Sequence, residues 1–112
     1  VILISDSMRA TGLTDGRYTL GGQDVLVKGP LATLADGTIA GSATNLMGCL
    51  KVAVQKMGVP LEDAVACAAV NPAKEIGIYD RCGSISEGKD ADFVLLDDDL
   101  NVKAVYVNGK KQ

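Results

Sequence analysis

Val1-Ile2-Leu3-Ile4-Ser5-Asp6 is the stretch on which the fold turns. A continuous apolar run, rich in β-branched residues and then broken by polar ones, fits a strand buried on both faces, as in a parallel sheet. Asp6 then stands just past the C-terminal end of that strand. The run opens without an initiator Met or a basic leader, so it reads as a strand whose neighbours lie outside these residues. On position alone, Asp6 reads first as a turn or capping acid, the commonest job of Asp after a strand.

Downstream, turn residues crowd residues 11–38: Thr11-Gly12, Asp15-Gly16, Gly21-Gly22, Gly29-Pro30 and Asp36-Gly37. Between them lie the strand candidates Arg17–Leu20, Asp24–Val27 and Leu31–Leu34, a small antiparallel meander. Gly41-Ser42 opens a helix with Ser42 as N-cap. Leu46, Cys49, Leu50, Ala53, Val54 and Met57 recur on one face of it, and Gly58 ends it. Val59-Pro60 starts a second helix with Glu62 and Asp63 in its first turn, where the macrodipole favours acids. Asn71-Pro72 stops that helix and restarts a short one, Asn71 capping, with Gly77 at its end. Gly83–Gly88 is turn-rich. Phe93–Leu96 and Val102–Val107 are strands, and Asn108-Gly109 is a type I′ hairpin signal. A boundary falls near Ile78–Arg81, with helices before it and small β-structure after it.

Composition narrows the function classes. The chain has 112 residues, 47% hydrophobic and 22% charged, which suits a folded domain rather than disorder. A net charge of −3 argues against a nucleic-acid surface, which needs a basic stripe. No stretch approaches the roughly 20 apolar residues that span a bilayer, so no membrane partner is expected. Cys49, Cys67 and Cys82 are odd in number and form no Cys-x-x-Cys pair, which points to a reducing cytoplasm. The first two belong to apolar helix faces. Histidine is absent, removing the commonest general base and metal ligand. Ser42 therefore has no base to make it a nucleophile. Lys89-Asp90 and Asp97-Asp98-Asp99 read as solvated turn charges, and the acid triplet lacks the spacing of a calcium loop.

Several segments together resemble one family. Ile4-Ser5-Asp6-Ser7-Met8, with Gly12 and Gly16-Arg17-Tyr18, is similar to the segment holding the catalytic acid in N-acetylglucosamine-6-phosphate deacetylases, within the amidohydrolase superfamily. Gly37-Thr38-Ile39-Ala40-Gly41-Ser42 resembles their substrate-contacting loop. Asn71-Pro72-Ala73-Lys74 with Ile76-Gly77, and Gly83-Ser84-Ile85 with Gly88-Lys89-Asp90-Ala91-Asp92-Phe93-Val94, resemble segments seen across amidohydrolases. Val105-Tyr106-Val107-Asn108-Gly109 looks like the closing hairpin. The glycine at Gly48 departs from the more usual helix former there, at about 1 kcal/mol relative to Ala.

The resemblance implies an α/β parent: residues 1–78 as the C-terminal part of a TIM-type catalytic barrel, and 79–112 as returning strands of a small β-sandwich. Taken alone, the chain is expected to be α+β, with short strands and two or three helices. The implied activity is metal-assisted hydrolysis of the N-acetyl group of N-acetylglucosamine 6-phosphate. Asp6 would be the general base and acid, and Ile39, Ala40 and Gly41 would touch the sugar, mostly through backbone. The family's divalent metal, zinc or iron, is held by a glutamate and two histidines that precede these segments, so no metal ligand is assigned here. The expectation is a cytoplasmic, homodimeric parent enzyme, and a 112-residue piece that neither binds the metal nor turns over by itself. It also includes an apolar face left open where barrel strands belong. Another amidohydrolase, dihydroorotase-like, and a non-catalytic α+β module are the alternative readings.

Overall fold

Glycine-punctuated turns fold residues 16–42 into a four-stranded antiparallel sheet in the computed structural model, which describes all 112 residues. Its strands are β1 (Gly16–Leu20), β2 (Gln23–Lys28), β3 (Leu31–Thr33) and β4 (Ile39–Ser42), in that order. The first three match the expected meander. Leu20 pairs with Gln23 across Gly21-Gly22, both with positive φ, the geometry of a tight hairpin. Alternation along β2 buries Val25 and Val27 and exposes Leu26. With Ala32, Met8 and Ala10 they form the first core cluster.

Strand β4 is a correction. Ser42 ends a strand and does not cap a helix. The helix α1 runs Leu46–Gln55, and Asn45 caps it, its Oδ1 accepting from the Gly48 N–H at 2.8 Å. The Ser42 hydroxyl instead accepts from the Thr44 N–H at 3.3 Å. Both residues belong to the cap-forming class. The pairing of β3 with β4 carries the chain past Ser42 before a helix can start.

The second correction concerns Asn71-Pro72. The helix does not stop there. Segments α2 (Leu61–Val65), a π-turn (Ala66–Val70) and α3 (Asn71–Glu75) follow one another with helical dihedrals at each junction. The Asn71 N–H donates to the carbonyl of Ala66, one residue further back than in an α-helix. Widening the coil by one residue lets Pro72, which lacks an N–H, sit inside a helical run instead of ending it. Gly77, at φ +74°, lies just beyond its end, as expected.

The last third forms a three-stranded antiparallel sheet of β5 (Phe93–Leu96), β6 (Val102–Val107) and β7 (Lys110–Lys111). Asn108 and Gly109 both have positive φ, as the hairpin signal requires. Phe93 stacks on its cross-strand partner Tyr106 at 4.6 Å between ring centres. Leu100, in the β5–β6 turn, reaches across to Leu50, Ala53 and Ala64 in the second core cluster. The architecture is therefore α+β, as expected of the chain taken alone.

Three charged positions are not simply solvated. Lys89 is half-buried, donates to the carbonyls of Tyr79 and Cys82, and sits 3.4 Å above the Tyr79 ring centre. Asp90 pairs with Arg81 at 3.1 Å. Asp97 gathers the backbone N–H groups of Asn101 and Asp99 and the Asn101 amide, holding the turn that carries Leu100. Short polar side chains that bond their own turn behave this way. The three cysteines are all half-buried and free.

The N-terminal run is extended but unpaired within this chain. Val1–Ile4 forms no ladder with any strand and is not buried on both faces: Ile4 is 70% exposed. A parallel strand needs a neighbour on each side, and no strand of this chain lies there. The segment is extended and held at points, with Leu3 N–H donating to the carbonyl of Cys67 at 2.9 Å and the Asn71 amide donating to that of Val1 at 2.7 Å. An apolar groove of about 490 Å³ opens beside it, lined by Leu3, Ile4, Val52, Met57 and Val59 among others. The radius of gyration, 16.2 Å, exceeds the roughly 13 Å of a close-packed domain of this size. Two small clusters rather than one core explain the difference.

Gly83 has φ +88°, and a Cβ there would lie 2.7 Å from Ala73 Cβ and 3.0 Å from the Ala69 carbonyl oxygen. Gly12 has φ +81° and open space. Gly83→Ala therefore combines backbone strain with overpacking, roughly 2–4 kcal/mol, against roughly 1–2 kcal/mol for Gly12→Ala. Thermal unfolding of the two variants should show the larger loss at Gly83; equal losses would exclude the packing contribution.

The backbone N–H of Asn101, then its side-chain amide, holds the Asp97 carboxyl below its usual 3.8. A depressed acid stabilises the fold above the unfolded value, and that contribution disappears as pH falls through the folded value. The melting-temperature gap between wild type and Asp97→Ala should therefore be constant above about pH 5 and shrink below about pH 3.8. A gap that widens on acidification would contradict this assignment.

Candidate functional site

Asp6 lies where the extended N-terminal segment meets the meander. Ser7 forms a parallel bridge with Ser42, and the Met8 N–H donates to the Ser42 carbonyl at 2.9 Å. Met8 and Ala10 then enter the first core cluster. Burial of these two side chains fixes the level at which Asp6 emerges. The Asp6 side chain is exposed and makes no hydrogen bond within the chain. Its backbone is left-handed, φ +46°, a region Asp tolerates better than most residues.

Ile39, Ala40 and Gly41 occupy the edge strand β4. Ala32 pairs with Gly41 and Thr33 with Ile39, so Ala40 is the extra residue of a β-bulge. Bulges re-aim side chains and are over-represented beside active sites. Ala40 packs on the first cluster, while Ile39 is 70% exposed. Gly41 is close to Met8: a Cβ on it would meet Met8 Sδ at 3.8 Å. The Ser7–Ser42 bridge thus brings Asp6 and the C-terminal end of this strand together, with Ile39 at its far end. Ahead of β4, the Thr38 N–H donates to Asp36 at 2.9 Å and holds that carboxyl below its usual range.

Two residues that sequence reasoning passed over complete the surroundings. Ser7 Oγ donates to the Thr44 carbonyl at 2.6 Å and lies 2.8 Å from Ser5 Oγ. Thr11 Oγ1 donates to the Ser42 carbonyl at 3.4 Å. Their proximity to Asp6 in the chain was the available signal, but hydroxyls are too common for spacing alone to single them out.

No three acidic or thiol side chains converge as a metal-binding group. The residues present therefore do not by themselves fit a metal centre, and no step below is routed through one. The apolar groove is not a sugar-phosphate pocket either: ten of its thirteen lining residues are hydrophobic, and no acid or basic side chain lines it. No helix is long and apolar enough to cross a membrane.

The profile of the Amidohydrolase family matches residues 4–111. An N-acetylglucosamine-6-phosphate deacetylase of Bacillus subtilis (strain 168) is 44% identical over 109 residues, 97% of this chain and 28% of its own. The crystal structure of the deacetylase of that name from Pasteurella multocida superimposes with a TM-score of 0.92 at 31% identity, covering 99% of this chain and 29% of that one. An aspartate-to-alanine mutant of the Mycobacterium smegmatis enzyme, solved in complex with N-acetyl-D-glucosamine-6-phosphate, gives 0.82 at 39% identity over 98% and 30% of the two chains. The present chain thus spans less than a third of the length of each. With the family profile running almost end to end along it, the chain belongs to the amidohydrolase family.

Proposed function

We propose that this chain acts as the C-terminal part of an N-acetylglucosamine-6-phosphate deacetylase, with Asp6 as its proton-transferring acid. The observation that carries this is likeness, in sequence and in fold, to deacetylases of that name over nearly the whole chain. The site's geometry supports it. A proton-transferring carboxylate must be reachable by water and unengaged by structural partners, and Asp6 is exposed and free of hydrogen bonds. Beside it lies a bulged edge strand whose outer side this chain pairs only at Ser42. Backbone groups along such an edge suit contacts to sugar hydroxyls, the role proposed for Ile39, Ala40 and Gly41.

In this reading Asp6 takes a proton from the attacking water and passes it to the leaving amine nitrogen. One carboxylate serves both steps, because accepting the first proton makes it the acid for the second. Amidohydrolases are generally metal-dependent, and a divalent ion, zinc or iron, belongs to the reading, with its donors outside these residues. Residues 1–78 would complete a catalytic barrel and 79–112 an accessory β-sandwich, in a cytoplasmic homodimer.

The test is the full-length protein carrying this chain, assayed on N-acetylglucosamine 6-phosphate, on the galactosamine isomer and on unrelated N-acyl substrates. Turnover preferring the amino-sugar phosphates is expected. Asp6→Asn keeps a residue that accepts left-handed backbone and removes only the charge. It should lower kcat by roughly 10²–10⁴-fold. The melting temperature should be unchanged, since the Asp6 side chain bonds nothing in the fold. Metal-dependent deacetylation by the isolated 112 residues, or an Asp6→Asn variant of full activity, would refute the reading.

A further inference from the structure

Asp6 reaches its position without any hydrogen bond to its own side chain, so whatever aims the carboxylate must act through the backbone. Ser5 and Ser7 flank it, and their hydroxyl oxygens lie 2.8 Å apart. That contact closes a loop of three residues, and the residue in the middle has the left-handed φ of +46°. A hydroxyl has a single hydrogen. Ser7 Oγ has two acceptors within reach, the Thr44 carbonyl at 2.6 Å and Ser5 Oγ at 2.8 Å, and the nearer of them is the Thr44 carbonyl.

The carbonyl that receives Ser7 is well held. Thr44 joins β4 to α1. Its N–H donates to Ser42 Oγ at 3.3 Å, and the next residue, Asn45, is the helix cap. Gly48 makes room for it: a Cβ at position 48 would fall 2.2 Å from Thr44 Oγ1. The glycine in the first turn of α1 lets the Thr44 side chain lie against the helix, below the carbonyl that receives Ser7. Read from the sequence alone, Gly48 is only a cost to the helix.

We propose that Ser7 is a positioning residue for Asp6, its hydroxyl tying the left-handed backbone of the acid to the start of α1. This rests on the reading of Asp6 as the proton-transferring acid. Ser7 touches no reacting atom in this role. Its hydrogen bond narrows the range of directions the neighbouring carboxylate samples, and misplacement of a catalytic group by about 1 Å can cost as much as 10²-fold in rate.

The experiment compares Ser7→Thr with Ser7→Val in the full-length, metal-loaded enzyme. The two side chains have nearly the same shape, and only threonine has the donor. The threonine variant should keep kcat within about threefold of wild type. The valine variant should lose about tenfold in kcat, the scale of one hydrogen bond, with KM within about twofold. Melting temperatures of the two should differ by no more than the loss of one hydrogen bond allows, whereas a merely structural role would show that shift with kcat unchanged. If valine lowers the folded fraction, Ser7→Ala, with threonine as its rescue, reads the same difference. Equal kcat for the variants with and without the hydroxyl, or a loss that falls on KM, overturns the proposal. Absence of deacetylase turnover in the unmodified enzyme would instead strike at the role of Asp6 itself.

Discussion

The carbonyl of Cys67 is the point from which the rest of the arrangement hangs. In an α-helix it would accept from the N–H of Asn71, but that N–H goes to Ala66. In the wider π register its partner would be residue 72, which is proline and has no N–H to give. The carbonyl is thus left open inside a helical run, and a buried polar group without a partner is costly. Leu3 N–H supplies the bond at 2.9 Å, and the Asn71 side chain, one turn on, takes the carbonyl of Val1. A defect in the helix therefore becomes a clasp for the N-terminal segment. Four residues beyond that clasp, the Ser7–Ser42 bridge fastens the same segment to the meander. Asp6 stands between the two attachments.

How much of this was legible in the sequence depended on whether a signal was local. Gly21-Gly22 and Asn108-Gly109 demand positive φ from their own residues, and both hairpins formed where they stand. The alternation around Val25 and Val27 set the buried face of the meander. Burial of Val1–Ile4 as a parallel strand is a property of its neighbours, and this chain supplies none, so the run is extended and exposed here. Ser42 failed as a cap because a pairing with β3, remote in sequence, overrode its local preference. Asn71-Pro72 failed as a stop because a π-turn accommodates a proline that a regular α-helix would not. Lys89 looked like a solvated charge because nothing adjacent in the sequence shows that its ammonium will lie over Tyr79, with Ser84 and then Lys89 holding that phenol below its usual range.

The candidate site divides along the same line. That an acid would follow the apolar run, and that Ile39-Ala40-Gly41 would lie near a helix start, were visible in the residues themselves. The bulge at Ala40 was not, because it is a relation between two strands. Nor was the left-handed backbone of Asp6. Asp accepts that conformation more readily than a β-branched residue, but nothing in Ser-Asp-Ser requires it; it accompanies the contacts of the Ser7 hydroxyl with Ser5 Oγ and with the Thr44 carbonyl.

Polar and apolar surfaces around the N-terminal segment have opposite characters, and that contrast separates support from chemistry. On one side the segment meets Val52, Met57 and Val59 in a groove without acidic or basic side chains, a surface suited to packing and not to a phosphorylated sugar. At its end, within a few residues, the chain presents an unpaired carboxylate, three hydroxyls and a bulged strand edge. Non-directional burial tolerates small displacements along the groove, whereas proton transfer does not tolerate them at Asp6. The directional contacts are accordingly concentrated at the far end, where Met8 and Ala10 are locked into the core and Ser7 is tied to the helix start. The acid follows directly from this division: its position is set by residues that themselves carry no charge, and its carboxylate is left without a structural partner.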